Sequence, residues 1–282
     1  MKVTETIHAV KHPFKLKVEE GHSVDRFVYS YILLGEKVCL IDAGVSGTSG
    51  QLEACLKGLG RSVKDVSLVL LTHSHPDHIG GCLALRKNSS ASFGGHAAEK
   101  DWIEDVERQY RERPILNFFE LVGGAVPVDR ALKEGDLIEW DEGKTLRVLE
   151  TPGHSPGSVS FHSREEGALF SGDAVPAANT LPIYVNPREC IESIKKLQRV
   201  AGINHLLSSW HDPLKGGAIP PVMEEAIRYI ERIDEIVVEL EKSMGSDSVE
   251  ELSLRALERL GIKVPKVPPL VMTSFKAHLR KK

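Results

Sequence analysis

Four side chains that can bind a metal ion lie within six residues of one another, directly after an aliphatic run. The segment reads LVLLTHSHPDHIGG and contains His73, His75, Asp77 and His78. Residues two apart in an extended segment point the same way, so His73 and His75 can reach one cation. Pro76 then turns the chain, and a helix that begins near Asp77 would bring Asp77 and His78 beside the first pair.

Imidazole nitrogen and carboxylate oxygen are donors that suit zinc, iron or manganese. Four such groups are more than one site of this kind readily shares, so the spacing indicates two metals side by side. Without a shared cation, three buried histidines and an aspartate would stay unsatisfied. Further ligands must then come from other segments that follow strand-like runs, and the candidates are His154 in TPGHSPGS, Asp173 in FSGDA and His211 in SSWHD. Strand ends are where open α/β sheets place their chemistry.

Hydrophobic periodicity predicts the strands and helices that must position these groups. RFVYSYILLG and KVCLIDAG predict a hairpin, and buried strands are predicted in SLVLLTH, TLRVLETPG, SVSFHS and ALFSGDAV. Helices are predicted in TSGQLEACLKGLG, IGGCLALRKN and PRECIESIKKLQRVAG, and from Met223 to Met244. Strands that alternate with helices over covered sheets favour an α/β layered architecture.

Length, charge and cysteine content exclude several classes of protein. The 282 residues suffice for one large domain or for a domain with a small appendage. The net charge of −4 gives no whole-protein attraction to nucleic acid or to an anionic membrane. The four cysteines form no CxxC pair, no apolar run is as long as a transmembrane helix, and the N-terminus lacks an apolar signal segment. We therefore predict a cytoplasmic protein without membrane association.

Five motifs in this order resemble those of the metallo-β-lactamase-fold hydrolase superfamily. THSHPDHIGG matches its HxHxDH signature, IDAG at 41–44 matches its early acidic motif, and TPGHSPGS, SGDA and the late WH match the others. The resemblance implies a four-layer αββα sandwich with a dinuclear metal site on one edge. We expect a catalytic domain over residues 1–220 and a C-terminal helical extension or small domain over residues 221–282.

Carried over residue by residue, the resemblance implies two sets of metal ligands that one carboxylate joins. The first cation would be bound by His73, His75 and His154. The second would be bound by Asp77, His78 and His211, and Asp173 would bridge both cations. Asp42 would orient ligands and waters near the site, so that Asp77 and Asp42 are the two carboxylates with expected catalytic roles. We expect two divalent cations, zinc first, with iron or manganese as alternatives that suit the same donors.

The resemblance also implies a reaction. Two cations roughly 3.5–4 Å apart can hold a hydroxide at neutral pH, and this hydroxide would attack the substrate without a serine or cysteine nucleophile. The segment TPGHSPGSVSF resembles the glyoxalase II branch, which hydrolyses thioesters such as hydroxyacylglutathione and appends helices after the core. The expected activity is hydrolysis of a small-molecule thioester or carboxylic ester.

Three alternatives to this activity stay open. A ribonuclease of the β-lactamase-like type would hold RNA phosphates with the basic tail at 276–282, although a terminal charge run is usually a solvated end, so RNA is not the favoured partner. A lactonase of the superfamily would carry a tyrosine a few residues after the bridging aspartate, whereas Tyr184 lies farther on. A non-hydrolytic metal or redox module of this fold would place a glutamate where this chain has His75.

Residues 97–120 form a longer, mostly helical insert with exposed charge and several aromatic residues. Residues 102–119 could cover the metals as a lid, in which case the aromatic residues suit an acyl chain, and Arg111 and Arg113 suit an anionic group. The alternative is an amphipathic helix that packs its aromatic residues on the core. The pattern does not decide between the two, and it predicts no oligomeric state.

Overall fold

The computed structural model describes residues 1–47, 49–244 and 248–280, so Lys281 and Lys282 of the basic tail lie outside the described residues. Its strands are β1 (Ile7–Glu19), β2 (His22–Leu34), β3 (Val38–Ile41), β4 (Val66–Leu70), β5 (Ser92–His96), β6 (Arg130–Leu132), β7 (Leu137–Asp141), β8 (Lys144–Glu150), β9 (Val159–Ser163), β10 (Ala168–Gly172), β11 (His205–Ser208) and β12 (Leu214–Lys215). Its helices are α1 (Ser49–Gly58), α2 (Pro76–Ile79), α3 (Cys82–Asn88), α4 (Lys100–Glu104), α5 (Val106–Glu112), α6 (Phe118–Leu121), α7 (Pro187–Gln198), α8 (Ile219–Met244), α9 (Val249–Arg259) and α10 (Pro269–Lys276).

The strands of the described residues form two six-stranded mixed sheets. The first has the order β1-β2-β3-β4-β5-β6, and its strands β3, β4, β5 and β6 are parallel. The second has the order β12-β11-β10-β9-β8-β7, with β10 and β11 parallel. Parallel neighbours end at the same edge of a sheet, so the loops after β3, β4 and β5 lie close together. This edge is where the strand-end motifs meet.

The two sheets pack face to face, and helices cover both outer faces. The core between the sheets joins Tyr31, Leu33 and Leu70 of the first sheet to Phe161 and Phe170 of the second. A second apolar cluster lies between the first sheet and α1, α3 and α6, and a third lies between the second sheet and α7 and α8. The predicted αββα sandwich is therefore confirmed.

Several predicted elements are confirmed, and one differs at its start. The predicted hairpin is present, with Tyr31 opposite Ile41 in the antiparallel β2–β3 pair. Helix α8 begins at Ile219 rather than near Met223. Pro220 and Pro221 lie in its first turn, where a backbone N–H would have no acceptor within the helix. Proline, which lacks this N–H, is therefore compatible with the start of the helix.

The C-terminal helices pack on the second half of α8. Ile233 and Val237 of α8 form one buried cluster with Leu257 of α9 and Phe275 of α10. The first half of α8 packs instead with α7 against the second sheet. The division at residue 220 remains a prediction. Within the described residues, the structure has no helix of sufficient length and apolarity to cross a membrane.

His12 of β1 predicts how stability depends on pH. Its ring is fully buried, with Nε2 2.7 Å from Ser30 Oγ, and burial lowers its pKa to about 4. A histidine of the unfolded chain titrates near roughly 6.5, so between about pH 4 and 6.5 the unfolded state binds more protons and stability falls as the pH falls. In His12→Gln we expect the slope of the free energy of unfolding against pH to be smaller by about 1.4 kcal/mol per pH unit between about pH 4.5 and 6. Urea denaturation at several pH values measures this slope, and equal slopes in both proteins would contradict a neutral His12.

Candidate metal centre

The loop after β4 and the short helix α2 carry the predicted cluster. His75 lies in extended backbone, and α2 begins at Pro76, as the turn predicted from the sequence requires. The first turn of α2 brings Asp77 and His78 back toward the loop. The ring centroids of His73 and His78 therefore lie only 4.0 Å apart.

Ligand atoms from four segments form two adjoining groups among the described residues. The first group is His73, His75 and His154, and the second is His73, His78 and Asp173; within each group the ligand atoms lie within 4.8 Å of one another. Asp173 connects the two groups, because its Oδ2 lies 3.2 Å from His154 Nε2 while its Oδ1 lies 3.3 Å from His78 Nε2. This placement supports the bridging role that was predicted for Asp173.

The donor set fits metal cations. Three of its buried atoms have no hydrogen-bond partner among the residues that the structure describes: His73 Nε2, His78 Nε2 and Asp173 Oδ1. Buried polar atoms left unpaired cost free energy, and a bound cation would supply the missing partner. Imidazole nitrogen with carboxylate oxygen is a donor combination of zinc and related divalent metals.

Asp77 and His211 belong to neither group of ligand atoms. Asp77 is at the same end of the site, with its Oδ2 3.9 Å from His78 Nε2. His211 Nε2 is buried without a hydrogen-bond partner in the described part of the chain. Burial lowers the pKa of His211, and the carboxylates that oppose this shift are Glu225 and Asp212, which are not predicted ligands. The assignment of His211 as a ligand therefore stays a prediction.

Asp42 orients the ring of His78 from behind the ligand atoms. Its Oδ2 accepts hydrogen bonds from His78 Nδ1 and from Thr72 Oγ1, both at 2.8 Å, and its Oδ1 accepts one from Thr72 N at 2.8 Å. Nδ1 of His78 therefore carries a proton, and Nε2 is the ring atom left to face a cation. This geometry supports the orienting role predicted for Asp42, whose φ of 59° lies in the left-handed region that aspartate tolerates.

Burial and neighbouring charges set the protonation state of the donors. Burial, followed by the charge of His78, lowers the pKa of His73 well below its usual range, and burial likewise lowers the pKa of His75. Burial opposes ionisation of Asp173, but the charges of His78 and His154 outweigh it and lower the pKa of that carboxyl. Burial opposes protonation of His78, but the charges of Asp173 and Asp42 outweigh it and raise the pKa of that ring. Neutral imidazole and ionised carboxylate are the forms that bind metals, so a cation would displace a proton from His78.

Glu99 is a buried carboxylate that the sequence patterns did not single out. It accepts hydrogen bonds from Ser74 N at 3.1 Å, from Ser74 Oγ, from Ser155 Oγ at 2.7 Å and from Gly157 N at 2.7 Å. Ser74 and Ser155 each adjoin a predicted histidine ligand, so Glu99 holds the two ligand loops together. In the sequence, HAAEKDW reads as one more charged stretch of an exposed insert, and no local signal distinguishes this glutamate.

Removal of Glu99 is expected to destabilise the protein. Glu99→Ala leaves the buried donors of Ser74, Ser155 and Gly157 unpaired, which should lower the free energy of unfolding by about 2–4 kcal/mol. Chemical denaturation measures the change, with the exposed Glu107→Ala in α5 as the control, for which we expect less than about 0.5 kcal/mol. Equal changes in the two variants would show that Glu99 does not hold the loops.

A pocket of about 220 Å³ opens over the ligand atoms. Its metal end includes His75, Asp77, Arg113, His154 and Asp173, and its apolar walls include Phe14, Leu16, Phe27, Ile115, Leu121, Leu181 and Leu270. Leu270 belongs to α10, so the C-terminal helices form part of the wall. The insert packs Phe118 in the core and lines the pocket with Arg113 and Ile115, and its role as a lid over the metals stays a prediction.

The last helix also supports a predicted ligand. His154 Nδ1 donates a hydrogen bond to Ile183 O at 2.7 Å, which leaves Nε2 directed at Asp173. The next residue, Tyr184, donates from its N–H to Ser274 Oγ of α10 at 2.9 Å. Helix α10 therefore holds the backbone that orients the His154 ring.

Comparisons with known proteins agree with this geometry. The model of the metallo-beta-lactamase superfamily matches residues 24–210. A hydroxyacylglutathione hydrolase of Cereibacter sphaeroides is 31% identical over 151 residues, which are 53% of this chain and 50% of that protein. An acyl-coenzyme A thioesterase of Gallus gallus is 32% identical over 143 residues, 47% of this chain and 51% of that protein. The chain thus matches about half the length of these curated relatives.

A solved structure extends the likeness in fold to the C-terminal helices. The crystal structure of a metallo-beta-lactamase family protein from Thermus thermophilus superposes with a TM-score of 0.73 at 24% identity. The superposition covers 98% of this chain and 92% of that chain. At this identity the likeness speaks for the fold alone.

Proposed function

This chain belongs to the metallo-beta-lactamase superfamily, and from that premise we propose that it hydrolyses small-molecule thioesters with the help of two divalent cations. One observation carries the proposal: the two oxygens of Asp173 face two adjoining sets of buried ligand atoms at the base of a pocket. The relatives named as hydroxyacylglutathione hydrolase and acyl-coenzyme A thioesterase support a thioester as the substrate.

Zinc is the proposed metal, and iron or manganese would suit the same donors. When bound, the cations supply Lewis acidity and a water activated for attack. We propose that His73, His75 and His154 hold one cation, that Asp77, His78 and His211 hold the other, and that Asp173 touches both. The chain orients these donors through Asp42 behind His78 and through Ile183 O behind His154.

Ser74 and Cys82, the serine and the cysteine nearest to the ligand cluster in the sequence, are not placed to act as nucleophiles. The hydroxyl of Ser74 donates to Glu99, which holds its proton away from the histidines. Burial raises the pKa of the Cys82 thiol, so a thiolate does not form there. Both residues are part of the packing around the site, and attack by water is the remaining route.

A thioester needs less help at its leaving group than an alkyl ester does. The pocket is lined by no lysine, tyrosine or cysteine, so only its carboxyl and imidazole groups could protonate a poor leaving group. A thiolate, with a conjugate acid pKa of roughly 8.5, leaves without such help, whereas an alkoxide does not. A lactone substrate is not supported either, because the buried Tyr184 Oη lies 2.9 Å from His278 Nε2 and does not line the pocket.

A substrate panel tests the proposal. Metal-loaded protein is assayed with S-lactoylglutathione, an acyl-CoA series, a matched oxygen ester, a lactone and an RNA phosphodiester, while elemental analysis gives the metal content. We expect about two metal ions per chain and a kcat/KM for the better thioester at least about tenfold above that for the oxygen ester. No turnover of either thioester class by protein that holds two metals would refute the proposal.

We also propose a cytoplasmic location. All four cysteines are free thiols, as proteins of a reducing compartment have them. Fractionation of cells that express the tagged protein tests this, and recovery outside the cytoplasmic fraction would contradict it.

A further inference from the structure

The insert between β5 and β6 carries three arginines, and two of them have acidic partners. Arg108 donates to Asp101 at 2.6 Å, and Arg111 Nη2 lies 4.0 Å from Asp105. The guanidinium of Arg113 has no hydrogen bond or ion pair within residues 1–47, 49–244 and 248–280. This difference between Arg113 and the other two arginines does not come from the local sequence, because all three have acidic residues close to them along the chain.

Helix α5 directs Arg113 toward the metal end of the pocket. Gln109 is buried, and its Nε2 donates to Ser74 O at 2.6 Å, which anchors α5 on the ligand loop. Arg113 follows four residues later at the C-terminal end of α5, where its N–H donates to Gln109 O at 2.8 Å and so fixes the backbone that carries its side chain. The Arg113 side chain accordingly lines the pocket with His75 and Asp77.

This partly buried cation lines the pocket without a contacting anion. Burial lowers the pKa of Arg113 to about 10, and the charges of Asp77, Asp173 and Glu99 act on it in the opposite direction. No carboxylate oxygen of the described residues approaches its nitrogens within 4.0 Å. Asp77 and Asp173 are also the proposed metal ligands, and Glu99 already accepts from both ligand loops. A guanidinium that faces a pocket can bind a planar carboxylate through two parallel hydrogen bonds.

We propose that Arg113 is a specificity-determining residue that selects thioesters whose acyl group carries a second carboxylate. The inference rests on the proposed thioester hydrolysis. The apolar walls, among them Ile115 and Leu16, suit the methylene groups between that carboxylate and the scissile carbonyl. In the reaction, the oxygen of water bonds to the carbonyl carbon, the C–S bond breaks, and the products are a dicarboxylate, a thiol and a proton released to solvent.

The test uses thioesters of N-acetylcysteamine, which is an uncharged thiol, so that the acyl group alone carries charge. Glutaryl and pentanoyl thioesters have the same chain length and differ in the terminal carboxylate. Wild-type protein should prefer the glutaryl thioester, and Arg113→Met should lower its kcat/KM by about 10- to 100-fold, mainly through KM, with less than about threefold loss on the pentanoyl thioester. Arg113→Lys keeps the charge without the planar fork and should recover part of the preference.

Arg111→Met is the matched control, because Arg111 is exposed in the same helix and does not line the pocket. Arg111→Met should leave kcat/KM unchanged for both substrates. An equal loss on both substrates in Arg113→Met, or no glutaryl preference in wild type, would overturn the inference while thioester hydrolysis stands.

A binding measurement separates this inference from the proposed function. Calorimetry with the corresponding glutaryl and pentanoyl amides reports recognition without turnover. Tighter binding of the glutaryl amide that Arg113→Met abolishes would support the role of Arg113, even if no thioester is hydrolysed. Equal binding of both amides by wild type would overturn it.

Discussion

Asp173→Ala should lose both cations together, and with them the hydrolytic activity. Asp173 is the residue whose two oxygens face both ligand groups, at 3.2 Å from His154 Nε2 and 3.3 Å from His78 Nε2. Loss of a residue that hydrogen-bonds to a metal ligand lowers metal affinity or activity by roughly 10- to 100-fold. Loss of a ligand that two cations share should lower them further. Elemental analysis after dialysis should fall from about two metal ions per chain to less than one, and kcat/KM by more than about 10³-fold.

Ser74→Ala is the control for this change. Its hydroxyl lies within the same ligand loop but donates to Glu99 rather than pointing at the donors. We expect Ser74→Ala to keep both metals, with at most a modest loss of stability. Two metals or full activity in Asp173→Ala would exclude a bridging role for this carboxylate, provided that circular dichroism shows the variant to be folded.

Asp42→Asn should weaken one cation site while the fold stays intact. The amide is isosteric with the carboxylate, and asparagine tolerates the same left-handed φ of 59°. Its oxygen can still accept from Thr72 N, but its NH₂ would then face His78 Nδ1, 2.8 Å away. To accept a hydrogen bond from this NH₂ group, His78 needs its lone pair on Nδ1. The proton then lies on Nε2, which can no longer bind a cation.

We expect metal affinity at one of the two sites to fall by about 10- to 100-fold in Asp42→Asn. Titration against a competing chelator resolves the two affinities, and unfolding curves of the metal-free protein report the fold. The exposed Glu107→Gln is a control for the charge change alone. Two unchanged affinities would mean that Asp42 supports the turn after β3 and does not tune His78.

The sequence revealed most of the donors because the chemistry there is local. His73, His75, Asp77 and His78 lie within six residues, so their spacing alone brings them together whatever the fold does elsewhere. The strand-end position of Asp173 follows from the same kind of local pattern. The hairpin of β2 and β3 was predictable for this reason too, since a short turn between two β-rich runs leaves few other pairings.

Only the tertiary structure revealed the residues that act across long sequence distances. Glu99 holds the loops of Ser74 and Ser155, 25 and 56 residues away, and its burial cannot be read from the polar segment around it. Arg113 differs from Arg108 and Arg111 in that it lines the pocket and that no carboxylate of the described residues forms an ion pair with it. These properties depend on desolvation, which a residue acquires from elements that pack around it.

The sequence alone therefore predicted the proposed metal-binding residue types, their order along the chain and the layered fold that carries them. The tertiary structure decided which atom of each ring would face a cation, because Asp42 and Ile183 O accept hydrogen bonds from Nδ1 of His78 and of His154. It also decided the walls of the pocket, which Leu270 of the last helix and Leu16 of the first strand both line. The convergence of such distant residues on one pocket follows from how the layers close on one another, and no local spacing encodes that closure.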